Sequence, residues 1–230
     1  MSKFNFVDLN EELLPKTKGK RIDGFRFYDV EGKNYPSVTT VLGVKKSASL
    51  AGWRKSIGED AAKWEMGRAA RRGTATHNLI ENYIKGEPAS DTGVLPLGLF
   101  RLMKPYLDQI NNIHMLETIM YSKELTVAGQ VDCIAEFNGE LSVIDFKTAN
   151  KQRKEEWVES YFMQTTAYAQ MYKELYGTEI KQIVILMACE DGAMQVFKKN
   201  TADYIEPLKK EIDYFYKYYE EQNRDKVKAE

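Results

Sequence analysis

Cysteine and histidine are scarce in this chain, two of each in 230 residues. So few of both exclude an all-cysteine zinc site or an iron–sulfur cluster built within the chain. Cys133 and Cys189 both fall inside predicted strands, where a thiol serves as a small core residue in a reducing compartment. Long apolar runs are missing too: no stretch reaches the roughly 18 residues of a membrane span, so no membrane partner is expected. The N-terminal MSKFNFVDLNEELLPK has no apolar h-region and carries acids, which argues against secretory or organellar targeting and for the cytoplasm. No Pro/Gly/Ser linker, repeat or low-complexity block divides the chain, and no Walker A motif marks a P-loop motor. A net charge of −1 does not advertise a nucleic-acid binder either.

What is present is an ordinary globular composition, 43% apolar and 29% charged, long enough to bury a sizeable core. Two strand patterns flank Glu31-Gly32 in FRFYDVEGKNYPSVTTVLG. Helical spacing then runs from Leu50 to Ile84, with a break predicted near Arg72-Gly73 and Thr74 capping a second helix. EPASDTGVLPLG is a loop, LFRLMKPYLDQINNI an amphipathic helix with a kink at Pro105, and LETIMYSKEL leads into two strands. A long helix over 155–176 is stopped by Gly177, and KQIVILMACE and AMQVFKKN are two more strands. DYIEPLKKEIDYFYKYYEEQ is the last amphipathic helix. Together they predict one α/β domain over residues 1–222, a mixed central β-sheet flanked by α-helices, and a charged, disordered tail over 223–230. Residues 45–85 hold nine Lys/Arg against four Asp/Glu, which is either a phosphate-facing surface or a solvated helix face.

The chemistry gathers in VDCIAEFNGELSVIDFK, residues 131–147. Asn138-Gly139 between alternating apolar residues signals a hairpin, because a type I′ turn needs φ > 0 at both positions. A two-residue turn there pairs Phe137 with Glu140, and the same register sets Asp132 opposite Asp145 on one face. Lys147 lies two residues further along that face. Facing Cβ atoms are only about 4.5–5.5 Å apart, where like charges destabilise. A half-buried pair would raise one carboxyl pKa unless a cation held both. A hard divalent ion, usually Mg²⁺, resolves the conflict. Lys147 beside it would stabilise charge on a phosphate or orient a water. On this reading Asp145→Ala leaves folding intact, since it removes a like-charge clash. The same triplet on an exposed hairpin would be a salt bridge and nothing more.

Other candidates surround this hairpin in the sequence. His77 has Glu81 one helical turn on, an imidazole and a carboxylate suited to a mixed metal site. Glu124, just before the hairpin, is a second extra carboxylate. His114 has no acidic partner at helical spacing and reads as structural. Gln164 and Tyr168 share a helix face in QTTAYAQMY, where Gln164 interrupts a tyrosine stripe that otherwise reads as core. Arg68, Arg71 and Arg72 precede His77 and are candidates for tracking phosphates. Ser37 and Thr39 in PSVTT are candidate phosphate donors, and Trp53 and Trp64 candidate stacking partners for bases, although core packing is the commoner fate of such aromatics.

Taken in order, His77, Gly129-Gln130-Val131-Asp132, Asp145-Phe146-Lys147 and Gln164-Thr165-Thr166-Ala167-Tyr168 resemble one motif series. It is that of the PD-(D/E)xK nuclease superfamily in its RecB-like and Cas4-like branch: a helix His, G-x-x-D, D/E-x-K and Q-x-x-x-Y. YPSVTTVLG and RRGTATHNLIE resemble the superfamily's mitochondrial and phage exonucleases, so the likeness covers residues 25–200. The resemblance implies a restriction-endonuclease-like core, with metal ligation by His77, Asp132, Asp145 and the Phe146 carbonyl. It implies Lys147 as the catalytic lysine, with Gln164 and Tyr168 supporting the site or touching nucleic acid; Glu81 and Glu124 fall outside the four motifs. The implied reaction is Mg²⁺-dependent phosphodiester hydrolysis by a metal-activated water, with Mn²⁺ able to substitute. The four cysteines that usually bring an iron–sulfur cluster to the Cas4-like branch are absent, which favours single-domain exonucleases.

The expected function is therefore a DNA exonuclease preferring single-stranded ends, in replication, repair or recombination, with DNA and proteins of those processes as partners. Two alternatives stay open: a nuclease of duplex ends, and a non-catalytic nucleic-acid binding module. The binding module would have no need to keep Lys147 with both aspartates. A bacterial or phage-infected host cytoplasm is the expected location.

Overall fold

Two sheets carry the fold in the computed structural model, which describes residues 2–229. Strands β1 (Gly19–Ile22), β2 (Phe25–Val30) and β3 (Lys33–Pro36) form a small antiparallel sheet. Its second turn is Glu31-Gly32, both at positive φ, as a tight hairpin requires. Ser37 follows β3 and caps helix α1 (Val38–Gly43), its hydroxyl accepting the Thr40 N–H at 3.1 Å.

Helices α2 (Lys46–Ile57), α3 (Glu59–Lys85) and α4 (Val94–Leu107) follow. The break predicted near Arg72-Gly73 does not occur, and α3 runs through Thr74 without interruption. The chain breaks instead at Gly58, whose φ of 89° ends α2 in a conformation only glycine adopts freely. Around Gly73 the helix is kept by good helix formers, Ala69, Ala70, Arg71 and Arg72.

The larger sheet contains β4 (Ile110–Ser122), β5 (Val127–Phe137), β6 (Glu140–Ala149), β7 (Gln182–Cys189) and β8 (Met194–Asn200), in that spatial order. It is mixed: β6 and β7 are parallel, joined through helix α5 (Glu159–Tyr176), and the other pairs are antiparallel. The expected helix over 155–176 thus starts as a short 3-10 turn, Glu155–Trp157, before α5. Residues 110–113, read as helix from the sequence, open β4 instead, because Ile110 and Ile113 pack on the sheet's core face. Helix α6 (Ile205–Ala229) has a helical backbone across most of the segment 223–230 expected as a tail; Glu230 lies outside the described residues.

Alternation in the strands divides the core between the two sheet faces. Val143 of β6 and Ile183, Ile185 and Met187 of β7 pack with α1, α5 and α6 on one side. Ile144, Phe146, Val184, Leu186 and Ala188 pack with α3 and α4 on the other. The parallel strand β7 is apolar from Ile183 onward because both its faces are covered. Cys133 and Cys189 are free, buried thiols on opposite faces, as small core residues should be. No described helix is long and apolar enough to cross a membrane.

Candidate active site

The Asn138-Gly139 turn has positive φ at both residues, and Phe137 pairs with Glu140. The register holds without a shift to Cys133–Ile144, and there the ladder stops. The next pair would be Asp132–Asp145. Instead the Asp132 carboxylate replaces a backbone partner, accepting the Phe146 N–H at 2.9 Å. The strands part where the aspartates sit, and the opening is lined by acids rather than by apolar side chains.

Helix α3 brings His77 to this opening from the other side of the sheet. Its Nε2 lies 2.7 Å from the Phe146 carbonyl oxygen and 3.8 Å from Asp132 Oδ2, and its Nδ1 is 3.6 Å from Glu117 Oε1. Ligand atoms of His77, Glu117 and Asp132 all lie within 4.8 Å of one another. Asp145 stands beside this trio, 1% exposed, with Lys147 Nζ at 2.7 Å from Oδ1 and 2.6 Å from Oδ2. Gln164 on α5 donates to Asp145 Oδ1 at 3.3 Å and reaches the Tyr168 hydroxyl at 3.5 Å. Tyr168 in turn packs on Gly129, so the G-x-x-D glycine leaves room for a ring that holds the glutamine.

Charge is concentrated here in little water. Burial pushes Asp145 up to about 6 although Lys147 pulls it down, and the Asp132 charge adds to the rise. Burial disfavours the His77 cation, yet the Asp132 charge and the Glu117 hydrogen bond outweigh it and push His77 up to about 9. Burial likewise opposes the Lys147 charge, but Asp145 and Asp132 overcome it and hold the ammonium above its ordinary value. Lys147 is therefore already the counter-ion of Asp145. The clash whose relief would make Asp145→Ala harmless to folding is offset before any substitution is made.

One imidazole, three carboxylates and a carbonyl form a donor set suited to a hard divalent cation. Asp145 supports the fit: burial and the Asp132 charge push its carboxyl up even with the Lys147 ammonium against both of its oxygens, so the site gathers more negative charge than one lysine offsets. Neither of two surface clefts of about 500 and 560 Å³ is lined by His77, Asp132, Asp145 or Lys147. Volume therefore does not identify the site; the polar geometry does.

Several expected residues lie elsewhere. Glu81 faces its own helix and pairs with Lys85 at 2.6 Å. Glu124 sits exposed in the β4–β5 turn, where its N–H binds Glu174. Ser37 is buried as a helix cap, and Thr39 accepts from Arg26 at 2.8 Å. Arg68 binds Glu190 at 2.9 Å, and Arg72, 5% exposed, binds Glu190, Thr148 and Asn150. Both arginines are thus engaged by protein partners, Arg68 at the surface and Arg72 within the fold. Arg71 is exposed and has no ion-pair partner among the described residues. Trp53 and Trp64 are 37% and 59% exposed and do not join the core. His114 Nδ1 lies 2.5 Å from the Tyr172 hydroxyl.

Glu117 and Lys46 are the site residues that sequence reading missed. Glu117 lies between the pairs Thr118–Val131 and Leu116–Cys133, opposite Asp132, and bulges from the ladder with φ 49°. A left-handed conformation costs a non-glycine residue about 1–3 kcal/mol and tends to cluster at functional sites. The signal was available: closing the β4–β5 turn with Ser122 opposite Val127 sets Glu117 opposite Asp132. Lys46 reaches in from α2, donating to Ser160 Oγ at 2.5 Å. Its Nζ and that of Lys147 lie 5.8 and 4.9 Å from the centre of the Tyr161 ring. Nothing in the local sequence marks Lys46, because α5 and α2 meet only in the fold.

Comparison with known proteins agrees with this geometry. A family model described as the PD-(D/E)XK nuclease superfamily matches residues 47–229. Human mitochondrial genome maintenance exonuclease 1 is 26% identical over 174 residues, covering 69% of this chain and 50% of that protein. The mouse protein of the same name is 24% identical over 179 residues, covering 71% and 52%. The chain thus spans about half the length of the curated relatives it matches. The expected bacterial or phage-host cytoplasm does not stand, because these relatives are animal proteins named for mitochondrial genome maintenance.

Proposed function

The chain belongs to the PD-(D/E)XK nuclease superfamily, and from that premise we propose that it is a divalent-cation-dependent DNA exonuclease acting on single-stranded ends. Its fold, a mixed sheet flanked by helices with a restriction-endonuclease-like core, is the one the family implies. The observation that carries the reading is the convergence of His77, Glu117 and Asp132, whose ligand atoms lie within 4.8 Å of one another beside the buried Asp145. Carboxylates gathered this closely in little water repel one another unless a cation holds them.

We assign Mg²⁺ as the physiological cation, with Mn²⁺ able to replace it. His77, Glu117, Asp132, Asp145 and the Phe146 carbonyl would hold it. When bound, the cation supplies Lewis-acid polarisation of the phosphate and a lowered pKa for water. The protein groups do the rest. His77 must release a proton to serve as a ligand, so binding is linked to deprotonation at its ring. Lys147 stays an ammonium and is fixed by Asp145 and the Tyr161 ring, ready to donate to a phosphate oxygen as charge builds there. Gln164 and Tyr168 keep the Asp145 carboxylate in place from behind.

Preference for single strands is supported by exposed aromatic and basic groups on the same stretch of chain. Trp53, Trp64 and Arg71 are exposed, Trp64 with the Arg68 guanidinium 5.7 Å from its ring centre, and stacking on aromatics is worth about 1–3 kcal/mol per base. The name of the relatives, exonuclease, favours attack from an end, and their role in genome maintenance favours DNA over RNA. The test uses 5′- and 3′-labelled single- and double-stranded DNA, together with a circular single strand, in Mg²⁺, Mn²⁺ or EDTA. The reading expects stepwise shortening of linear single strands with either cation and none in EDTA. Cutting of the circle would overturn end dependence, and faster loss of the duplex would favour the duplex-end alternative.

A further inference from the structure

Arg72 is almost wholly buried, 5% exposed, yet it is a full charge with one carboxylate near it, and that carboxylate is shared with Arg68. The cost of burying such a group demands a use for it. Its guanidinium forks across the chain. Nε donates to Thr148 Oγ1 at 3.1 Å, one nitrogen to Asn150 Oδ1 at 2.5 Å and to Glu190, and the other points to the Thr148 carbonyl at 3.5 Å. Thr148 follows Lys147 directly in β6, and Glu190 follows the end of β7, where its N–H donates to the Ala149 carbonyl at 2.9 Å. Within α3, the Arg72 carbonyl accepts from Thr76 Oγ1 at 2.9 Å, on the residue before His77.

Two attachments therefore join α3 to β6: His77 at the Phe146 carbonyl, and Arg72 at Thr148. Their spacing matches on both elements. Five helical residues rise about 7.5 Å, and two strand residues advance about 6.7 Å. Apolar packing of Ile80 and Ile84 holds α3 against the sheet but is not directional along the strand. Two attachments at matched spacing fix its position, and with it the placement of His77 relative to Asp132 and Lys147.

We propose that Arg72 is a positioning residue, which with Thr148, Asn150 and Glu190 clamps α3 to the strand that carries Asp145 and Lys147 and so sets the geometry of the cation site. This rests on the nuclease reading above only for its catalytic consequence; the clamp itself is judged by cation binding. It replaces the phosphate-tracking role that the sequence suggests for Arg72.

The test compares two variants of the full chain. Arg72→Lys keeps a cation beside Glu190 but cannot fork to Thr148 and Asn150. Thr148→Val removes one acceptor with no change of charge. Mn²⁺ affinity is measured by calorimetric titration, and kcat and KM on labelled single-stranded DNA alongside it. Groups that orient metal ligands typically cost about tenfold or more in metal affinity when removed, the loss expected for Arg72→Lys. Thr148→Val should lose affinity by a smaller factor, and in both kcat should fall while KM for DNA is unchanged. Unchanged Mn²⁺ affinity in both variants, even with a lower melting temperature, reduces the network to fold stability and overturns the proposal. A rise in KM alone would return Arg72 to the nucleic acid and overturn it too. Should Arg72→Lys fail to fold, Thr148→Val decides. A wild-type chain that binds Mn²⁺ but cleaves no DNA refutes the nuclease reading while the affinities still judge the clamp.

Discussion

Gly129→Ala adds one methyl group where the structure has no room for it. Gly129 is buried in β5 opposite Met120. A Cβ there would stand 2.9 Å from Tyr168 Cε1, 3.0 Å from its hydroxyl oxygen and 3.4 Å from Cζ. The ring has nowhere cheap to go, since Tyr168 is 2% exposed and its hydroxyl faces Gln164. Overpacking of this kind costs about 1–3 kcal/mol. In a chain of this size each kcal/mol lowers the melting temperature by roughly 2–4 °C, so a fall of about 2–12 °C is expected. The displaced ring also disturbs Gln164, hence Asp145 Oδ1, and cleavage should fall along with stability. Thermal denaturation gives the first quantity and single-turnover cleavage the second. Gly129→Ala with Tyr168→Phe should recover part of the loss, because the hydroxyl contact goes while the Cε1 contact stays. A Gly129→Ala protein that melts and cleaves like wild type would refute this account of the G-x-x-D glycine.

Further expectations concern the charges around the site. Glu117→Gln should weaken Mn²⁺ binding by about tenfold or more, while Glu81→Gln leaves it unchanged, since Glu81 is engaged by Lys85 on the surface; calorimetry on both tests the choice of carboxylate. Lys147→Met leaves Asp145 buried without its counter-ion and should destabilise the metal-free protein by about 3–5 kcal/mol in urea denaturation, with Mn²⁺ restoring more stability than it adds to wild type. Wild-type stability in Lys147→Met would contradict the ion pair. Desolvation opposes the charge of Asp108, but hydrogen bonds from Lys3, Tyr83 and Lys104 outweigh it and hold this exposed carboxyl down to about 2. Its folded pKa is below its ordinary 3.8, so its contribution is present above about pH 4 and lost as pH falls through about 2. The melting-temperature gap between wild type and Asp108→Asn should therefore close in acid, by a modest amount because this pair is exposed and screened.

The hairpin was readable because turn chemistry fixes register: Asn138-Gly139 admits few alternatives, and each pair back to Cys133–Ile144 follows from it. The same logic would have found Glu117, but the turn between Ser122 and Val127 carries no comparable dipeptide, and Glu124, nearer the hairpin, drew attention instead. The break between α2 and α3 was misplaced for a related reason. Gly58 and Gly73 look alike in sequence, and only the backbone angle separates a glycine that ends a helix from one that merely lacks a side chain. The ion pairs of Arg68 and Arg72 were not legible, because charge next to a site residue resembles a phosphate surface. Their partner Glu190 is more than a hundred residues away and is brought to them by β7. Long-range partners of this kind follow from topology, not from local pattern.

The central claim is that the cluster of His77, Glu117, Asp132, Asp145 and Lys147 hydrolyses DNA with a divalent cation. Its most direct test is cleavage of end-labelled single-stranded DNA by wild type and Asp145→Asn side by side, in Mg²⁺ and in EDTA, with folding of the variant checked by circular dichroism. The account predicts cleavage by wild type in Mg²⁺ only, and none by the folded Asp145→Asn protein in either buffer. Cleavage by Asp145→Asn at the wild-type rate, or by wild type in EDTA, would contradict it.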